Sequence, residues 1–162
     1  MYTKILVPLD GSALAERAIA HAEEIARGTG AEIILLNVIQ APLSKFPEAS
    51  VAEELKSTVE EAAKARLYLT AIASRLSAAG LKARCEVLEG TADAAILGYA
   101  HDRDVDILVM STHGRTGLSK AVMGSVAENV MLTTKRPVML VKPERVPVAH
   151  HKDEADVFLS AQ

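Results

Sequence analysis

Aromatic residues are nearly missing from this chain, which has three Tyr, two Phe and no Trp among 162 residues. Proteins that grip single-stranded nucleic acid stack bases on aromatic rings, and that platform is lacking here. A formal net charge of −3 removes the basic surface that a polyanion partner needs, so no nucleic-acid partner is expected. The one cysteine, Cys85, permits neither an internal disulfide nor a cysteine zinc cluster. Its place in an apolar alternation predicts a small buried residue in a protein of a reducing compartment. No apolar run is long enough to cross a bilayer, and the first residues enter strand-like sequence without the regions of a secretion signal. A cytoplasmic protein that does not engage membranes is the expectation.

What is present is aliphatic. Hydrophobic residues make up 49% of the chain, enough for one domain with a core of Ile, Leu, Val, Ala and Met. Five short apolar runs, at 4–9, 31–39, 81–88, 105–110 and 137–141, alternate with helical patterns at 13–29, 51–79, 92–101 and a segment ending near Thr134. That alternation predicts an α/β domain with a parallel sheet covered on both faces. Asp10 or Ser12 can cap the first helix, Gly28 and Gly30 end it, and Thr91 is the simplest cap for the third. Residues 40–50 read as a loop. Glu53, Glu54, Glu60 and Glu61 alternate with Lys56, Lys64 and Arg66 in the manner of a solvated helix face. The last strand has no helix after it and is expected at a sheet edge, while residues 144–162 read as a tail. His150, His151, Asp153 and Glu154 have metal-ligating chemistry but fall within that tail.

The most informative stretch runs from Asp106 through Met110, Ser111, Thr112, His113, Gly114 and Arg115 to Gly124, Ser125 and Val126. It reads as a buried strand, a glycine-bearing loop and a helix that opens on Gly-Ser. Such a loop brings backbone N–H groups to an anion, with glycine allowing positive φ or close approach and a small hydroxyl residue capping the helix or donating to a phosphate. An ordinary strand-to-helix connection has the same pattern. In a doubly wound sheet a ligand lies beyond the carboxyl ends of the strands, where adjacent connections diverge, so Pro8, Leu9 and Asp10 become partners of this loop if the first and fourth strands are neighbours.

These residues resemble the universal stress protein family over roughly residues 2–143. The family's adenine-nucleotide motif is Gly, two residues, Gly, nine residues, then Gly followed by Ser or Thr. The chain supplies Gly114 and Gly124-Ser125 at that spacing but has Ser111 at the first glycine. The opening Ile5-Leu6-Val7-Pro8-Leu9-Asp10-Gly11-Ser12 and the ending Arg136-Pro137-Val138-Met139-Leu140-Val141 are also similar to the family's. The resemblance implies a single-domain, Rossmann-like five-stranded sheet in the order 3-2-1-4-5, a nucleotide-binding unit over 1–143, and ATP as ligand with Mg²⁺ bridging its phosphates. It implies that Pro8, Leu9 and Asp10 line the nucleoside, that Val38 offers backbone groups to adenine, and that Met110 and Ser111 flank the ribose. Gly114, Arg115, Gly124, Ser125 and Val126 would surround the phosphates. It also implies a homodimer through the last strand, Val138–Val141.

The bland readings stand beside these. Asp10 can be only a helix cap, Val38 plain core, Arg115 a solvated loop residue, and His113 an exposed side chain rather than a general base. The chain has neither a Gly-x-Ser-x-Gly elbow nor a Gly-Lys-Ser/Thr phosphate loop, so fast phosphoryl transfer is not expected. Two functions remain, a nucleotide-dependent regulatory module of the stress response and a slow ATP hydrolase whose turnover resets its state.

Overall fold

The computed structural model describes residues 1–40, 51–113 and 123–142. Five parallel strands form one sheet: β1 (Lys4–Pro8), β2 (Glu32–Ile39), β3 (Ala83–Glu89), β4 (Ile107–Ser111) and β5 (Val138–Val141). The spatial order is β3-β2-β1-β4-β5, so β1 and β4 are neighbours and β5 is an edge. Helices α1 (Ala13–Thr29), α2 (Val51–Ala78), α3 (Ala92–Asp102) and α4 (Ser125–Thr133) fill the crossovers.

Alternation along the strands divides the core in two. Ile5, Val7, Ile33, Leu35, Ile107 and Val109 point to one face and pack under α1 and α2, where Ala18, Ile19, Leu69 and Leu76 are almost fully buried. Leu6, Ile34, Leu36, Leu108 and Met110 point to the other, against Ile96, Tyr99 and Ala100 of α3 and Ala127 and Val130 of α4. Central strands buried on both faces read as unbroken apolar runs, which is why their sequences show no polar alternation.

Consecutive connections therefore leave β1 and β4 toward opposite faces. β1 feeds α1 on one side, β4 leads toward α4 on the other, and a crevice opens between their carboxyl ends. At the opposite end of these strands Asp106 holds them in line. Its Oδ2 accepts from Thr3 N and Thr3 Oγ1 at 2.7 Å each and from Lys4 N at 2.9 Å, and its own N–H donates to Lys4 O at 3.1 Å.

Some expectations need correction. β3 begins two residues later than its apolar run, and β4 runs on to Ser111. Gly28 lies inside α1, which ends at Gly30 in the left-handed region at φ 73°; that conformation, rather than glycine as such, terminates the helix. Thr91 does occupy the N-cap of α3 as expected, though it makes no side-chain capping hydrogen bond. Cys85 is only partly buried, because β3 is the other edge strand and its burial depends on α2 alone. That cover still pushes its thiol pKa up. The tail, with its His and acidic residues, lies outside the described residues.

Candidate functional site

At the crevice, Pro8, Leu9 and Asp10 from the end of β1, Val38 from β2, Met110 and Ser111 from β4, and Gly124 and Val126 from the start of α4 line one pocket of about 130 Å³. Thr112, His113, Ala92 and Ile96 complete most of its wall. Ser125 stands between two lining residues but is itself exposed, as the first residue of α4. Gly114 and Arg115 lie outside the described residues.

Asp10 and Ser12 build the first edge together. Asp10 Oδ1 accepts from Ser12 N at 2.9 Å and from Ser12 Oγ at 2.6 Å, and Ser12 Oγ accepts from Ala15 N at 3.1 Å. Ser12 is thus the cap of α1, and Asp10 braces that cap while its carboxylate lines the pocket.

Val38 gives the pocket a backbone edge. Pairing of β1 with β2 ends at Pro8 and Leu36, and Leu9 N still reaches Leu36 O at 2.8 Å. Backbone groups of a strand alternate between its two neighbours. Ile39 O accepts from Gly90 N on the β3 side, so Val38, like Leu36, turns its N–H and C=O toward the side where β1 has ended. A planar ligand edge with one donor and one acceptor matches that pair.

The start of α4 supplies the third edge. Its N-cap, Gly124, makes no side-chain capping bond, and Glu128 N is the first intrahelical donor, to Gly124 O at 3.0 Å. The N–H groups of Ser125, Val126 and Ala127 precede that first bond, and the helix dipole adds partial positive charge there. Gly124 has an ordinary φ of −63°, so conformational freedom is not its purpose. A Cβ there would meet Thr112 O at 3.3 Å, and Gly124 N donates to the same oxygen at 2.8 Å. Close approach of the helix start to the end of β4 is what glycine permits.

Beside this contact the chain turns at Thr112 and His113. Ser111 Oγ accepts from His113 N at 3.3 Å, His113 Nδ1 lies 2.9 Å from Thr112 Oγ1, and Thr112 Oγ1 reaches Val141 O at 3.4 Å. His113 is half-buried rather than exposed, and its Nε2 is buried without a hydrogen-bond partner among the described residues.

Sequence reasoning missed a second, larger cleft of about 600 Å³ that shares Asp10, Val38 and Ala92 with the first. Asn37, Gln40 and, from α2, Glu61, Lys64 and Tyr68 line it. Asn37 Nδ2 donates to Leu9 O at 2.8 Å, and Tyr68 Oη donates to Glu16 Oε1 at 2.9 Å; burial and then the Glu16 carboxylate hold the phenol well above its ordinary pKa. Asn37 was a legible signal, being a polar residue set between Leu36 and Val38 deep in an apolar run. Glu61 and Lys64 were not, since a solvated face and a cleft wall have the same charge pattern. Among the described residues no group of His, Cys, Asp and Glu is arranged to hold a metal ion, and no helix is long and apolar enough to cross a membrane.

A model of the universal stress protein family matches residues 1–142. Universal stress protein MJ0577 of Methanocaldococcus jannaschii is 34% identical over 158 residues, covering 88% of this chain and 96% of that protein. Universal stress protein MJ0531 of the same organism is 35% identical over 147 residues, covering 88% and 83%. The solved structure of MJ0577 superposes with a TM-score of 0.80 over 90% of this chain and 99% of its own, at 34% identity. A crystal structure of a universal stress protein in complex with cAMP superposes with a TM-score of 0.65 at 26% identity, covering 86% and 97%.

Proposed function

The chain belongs to the universal stress protein family, and from that premise we propose that it binds ATP and acts as a nucleotide-dependent regulatory module in the stress response. The observation that carries this reading is the convergence on one crevice of the Val38 backbone edge, the Asp10 carboxylate and the uncapped start of α4. Each fits a different part of one ligand. Adenine presents a donor and an acceptor to Val38, the ribose hydroxyls meet Asp10, with Pro8, Leu9, Met110 and Ser111 around the nucleoside, and the phosphates meet the N–H groups after Gly124. Mg²⁺ would bind with the nucleotide and offset the charge of its phosphates. The cAMP complex of a related protein supports an adenine nucleotide as the ligand class.

In the same proposal the nucleotide-binding unit is residues 1–143, followed by the tail 144–162, and the protein works in the cytoplasm as a homodimer through β5. The rival reading, a slow ATP hydrolase, draws support from Asp10 and His113 standing on the same pocket wall. Phosphoryl transfer needs a positioned nucleophile as well as a cradle, so turnover is expected below about one event per minute, far under typical enzyme rates.

Mass spectrometry of the purified protein should find adenine nucleotide, and calorimetry with ATP and Mg²⁺ should give saturable binding. Gly124→Ala pushes the helix start off Thr112 O by a few tenths of an ångström, and it should weaken ATP roughly tenfold with the fold intact. Folded protein that binds none of ATP, ADP, AMP and cAMP would end this reading.

A further inference from the structure

We infer that His113 is a ligand contact of the pocket, holding a phosphoryl group of the bound nucleotide through its buried Nε2, so that binding strengthens as the imidazole is protonated. The inference rests on the adenine-nucleotide reading above and goes beyond it in assigning a charged side chain and a pH dependence to the phosphate end.

Val141 O only accepts, so when the single Thr112 hydroxyl proton points to it, Thr112 Oγ1 is left to accept from His113 Nδ1–H. That chain orients the ring. The backbone N–H of His113 is already engaged by Ser111 Oγ, which leaves the imidazole as the donor this residue has to offer. Its Nε2 is buried and unpartnered among the described residues, and buried polar atoms in folded proteins are almost always paired. The pocket that His113 lines is where a partner group would enter.

The neighbourhood selects the group. Gly124 N donates to Thr112 O, and a Cβ on Gly124 would lie 4.0 Å from His113 Cα, so the start of α4 and His113 are adjacent. Uncapped helix N–H groups on one side and an imidazole on the other both favour an anion. A neutral ring with its proton on Nδ1 would turn a lone pair toward that anion. The doubly protonated ring satisfies all three bonds at once, donating from Nδ1 to Thr112 and from Nε2 to a phosphoryl oxygen. Protonation adds positive charge to that donor, so anion affinity should rise as pH falls. Elements packed around the pocket contribute Val38, Ala92, Ile96, Val126 and Ala127, and Asp10 is the only other titratable side chain among its described lining residues.

Calorimetry on the full chain with ATP and with adenosine, at pH 6 and pH 8, tests this. His113→Gln keeps an amide donor near Nε2 and cannot take up the charge. The wild type should bind ATP about tenfold more tightly at pH 6 than the variant does, and the excess should shrink at pH 8, with adenosine affinity equal within twofold throughout. Equal ATP affinity and equal pH slope in the two proteins would overturn the assignment and leave the nucleotide reading intact. Failure of the wild type to bind either ligand would overturn both. If the variant does not fold, imidazole resonances of ¹⁵N-labelled wild-type protein decide: ATP, and not adenosine, should move one histidine titration to higher pH, and the absence of such a shift would overturn the assignment.

Discussion

Single residues carry more than one duty at both ends of the sheet. Asp106 is far from the crevice, yet its carboxylate gathers three donors from the start of β1, and those bonds, led by the one from Thr3 N, hold its pKa below the ordinary carboxylate range. Replacing it by Asn should cost about 1 to 2 kcal/mol at pH 7, the low end of a multiply bonded carboxylate because the site is solvent-screened. The sign in acid follows from the depressed value. The unfolded chain protonates first, so the contribution is full above the unfolded value of about 3.9 and is lost as pH falls through the lower folded one. Urea titrations at pH 7 and pH 3 should therefore show the wild type and Asp106→Asn converging in acid; a difference that persists at pH 3 would mean the bonds act without the charge. At the other end, Asp10 was legible both as a cap and as a ligand residue; Ser12 takes the cap, and Asp10 braces it from the pocket wall. For His113 the sequence suggests an exposed side chain beside a loop; its ring partner Thr112 is its neighbour in sequence, but Thr112 is tied in turn to the distant Val141, and no local pattern announces that link.

Elements were legible where their stop signals are chemical and illegible where they are tertiary. α1 begins and ends where its sequence says, since Ser12 caps it by a side-chain bond and Gly30 takes the left-handed conformation. β3 was misplaced by two residues at its start because register with β2, Ile33 to Ala83, decides where an edge strand begins. The extent of α2 was readable from its charge pattern, but the cleft beside its middle, from Glu61 to Tyr68, was not, since that depends on where β1 and β2 end. Ser12→Ala removes the cap of α1 and the hydroxyl bond to the Asp10 carboxylate. It should lower stability by about 1 kcal/mol in chemical denaturation. ATP affinity should fall with it, because the carboxylate loses its brace; unchanged affinity would separate Asp10 from the ligand. Leu69, fully buried between α2 and the sheet, sets the scale for the core: Leu69→Ala should cost about 2 to 5 kcal/mol.

At the scale of the whole molecule, the order β3-β2-β1-β4-β5 is not written in any one element, and the sequence reached it only through the resemblance of three separated blocks. Among the described residues, what the sheet order leaves open is the outer side of β5. Pro137 O accepts from Leu108 N and Val141 O from Thr112 N, so residues 137, 139 and 141 turn their backbone groups inward to β4. By alternation, Val138 and Leu140 present theirs to the open edge. An unpaired edge of this kind invites a second strand, and a two-fold pairing of β5 with its copy would satisfy it. The informative substitution is therefore Leu140→Pro, which deletes an outward N–H and leaves the bonds to β4; proline at Met139 would break the sheet's own ladder instead. Sedimentation at micromolar concentration should find the wild type dimeric and Leu140→Pro shifted to monomer, with circular dichroism unchanged. Deleting residues 144–162 should leave the wild-type dimer intact. A folded Leu140→Pro protein that remains fully dimeric would move the interface away from β5, and a monomeric wild type would remove the dimer altogether.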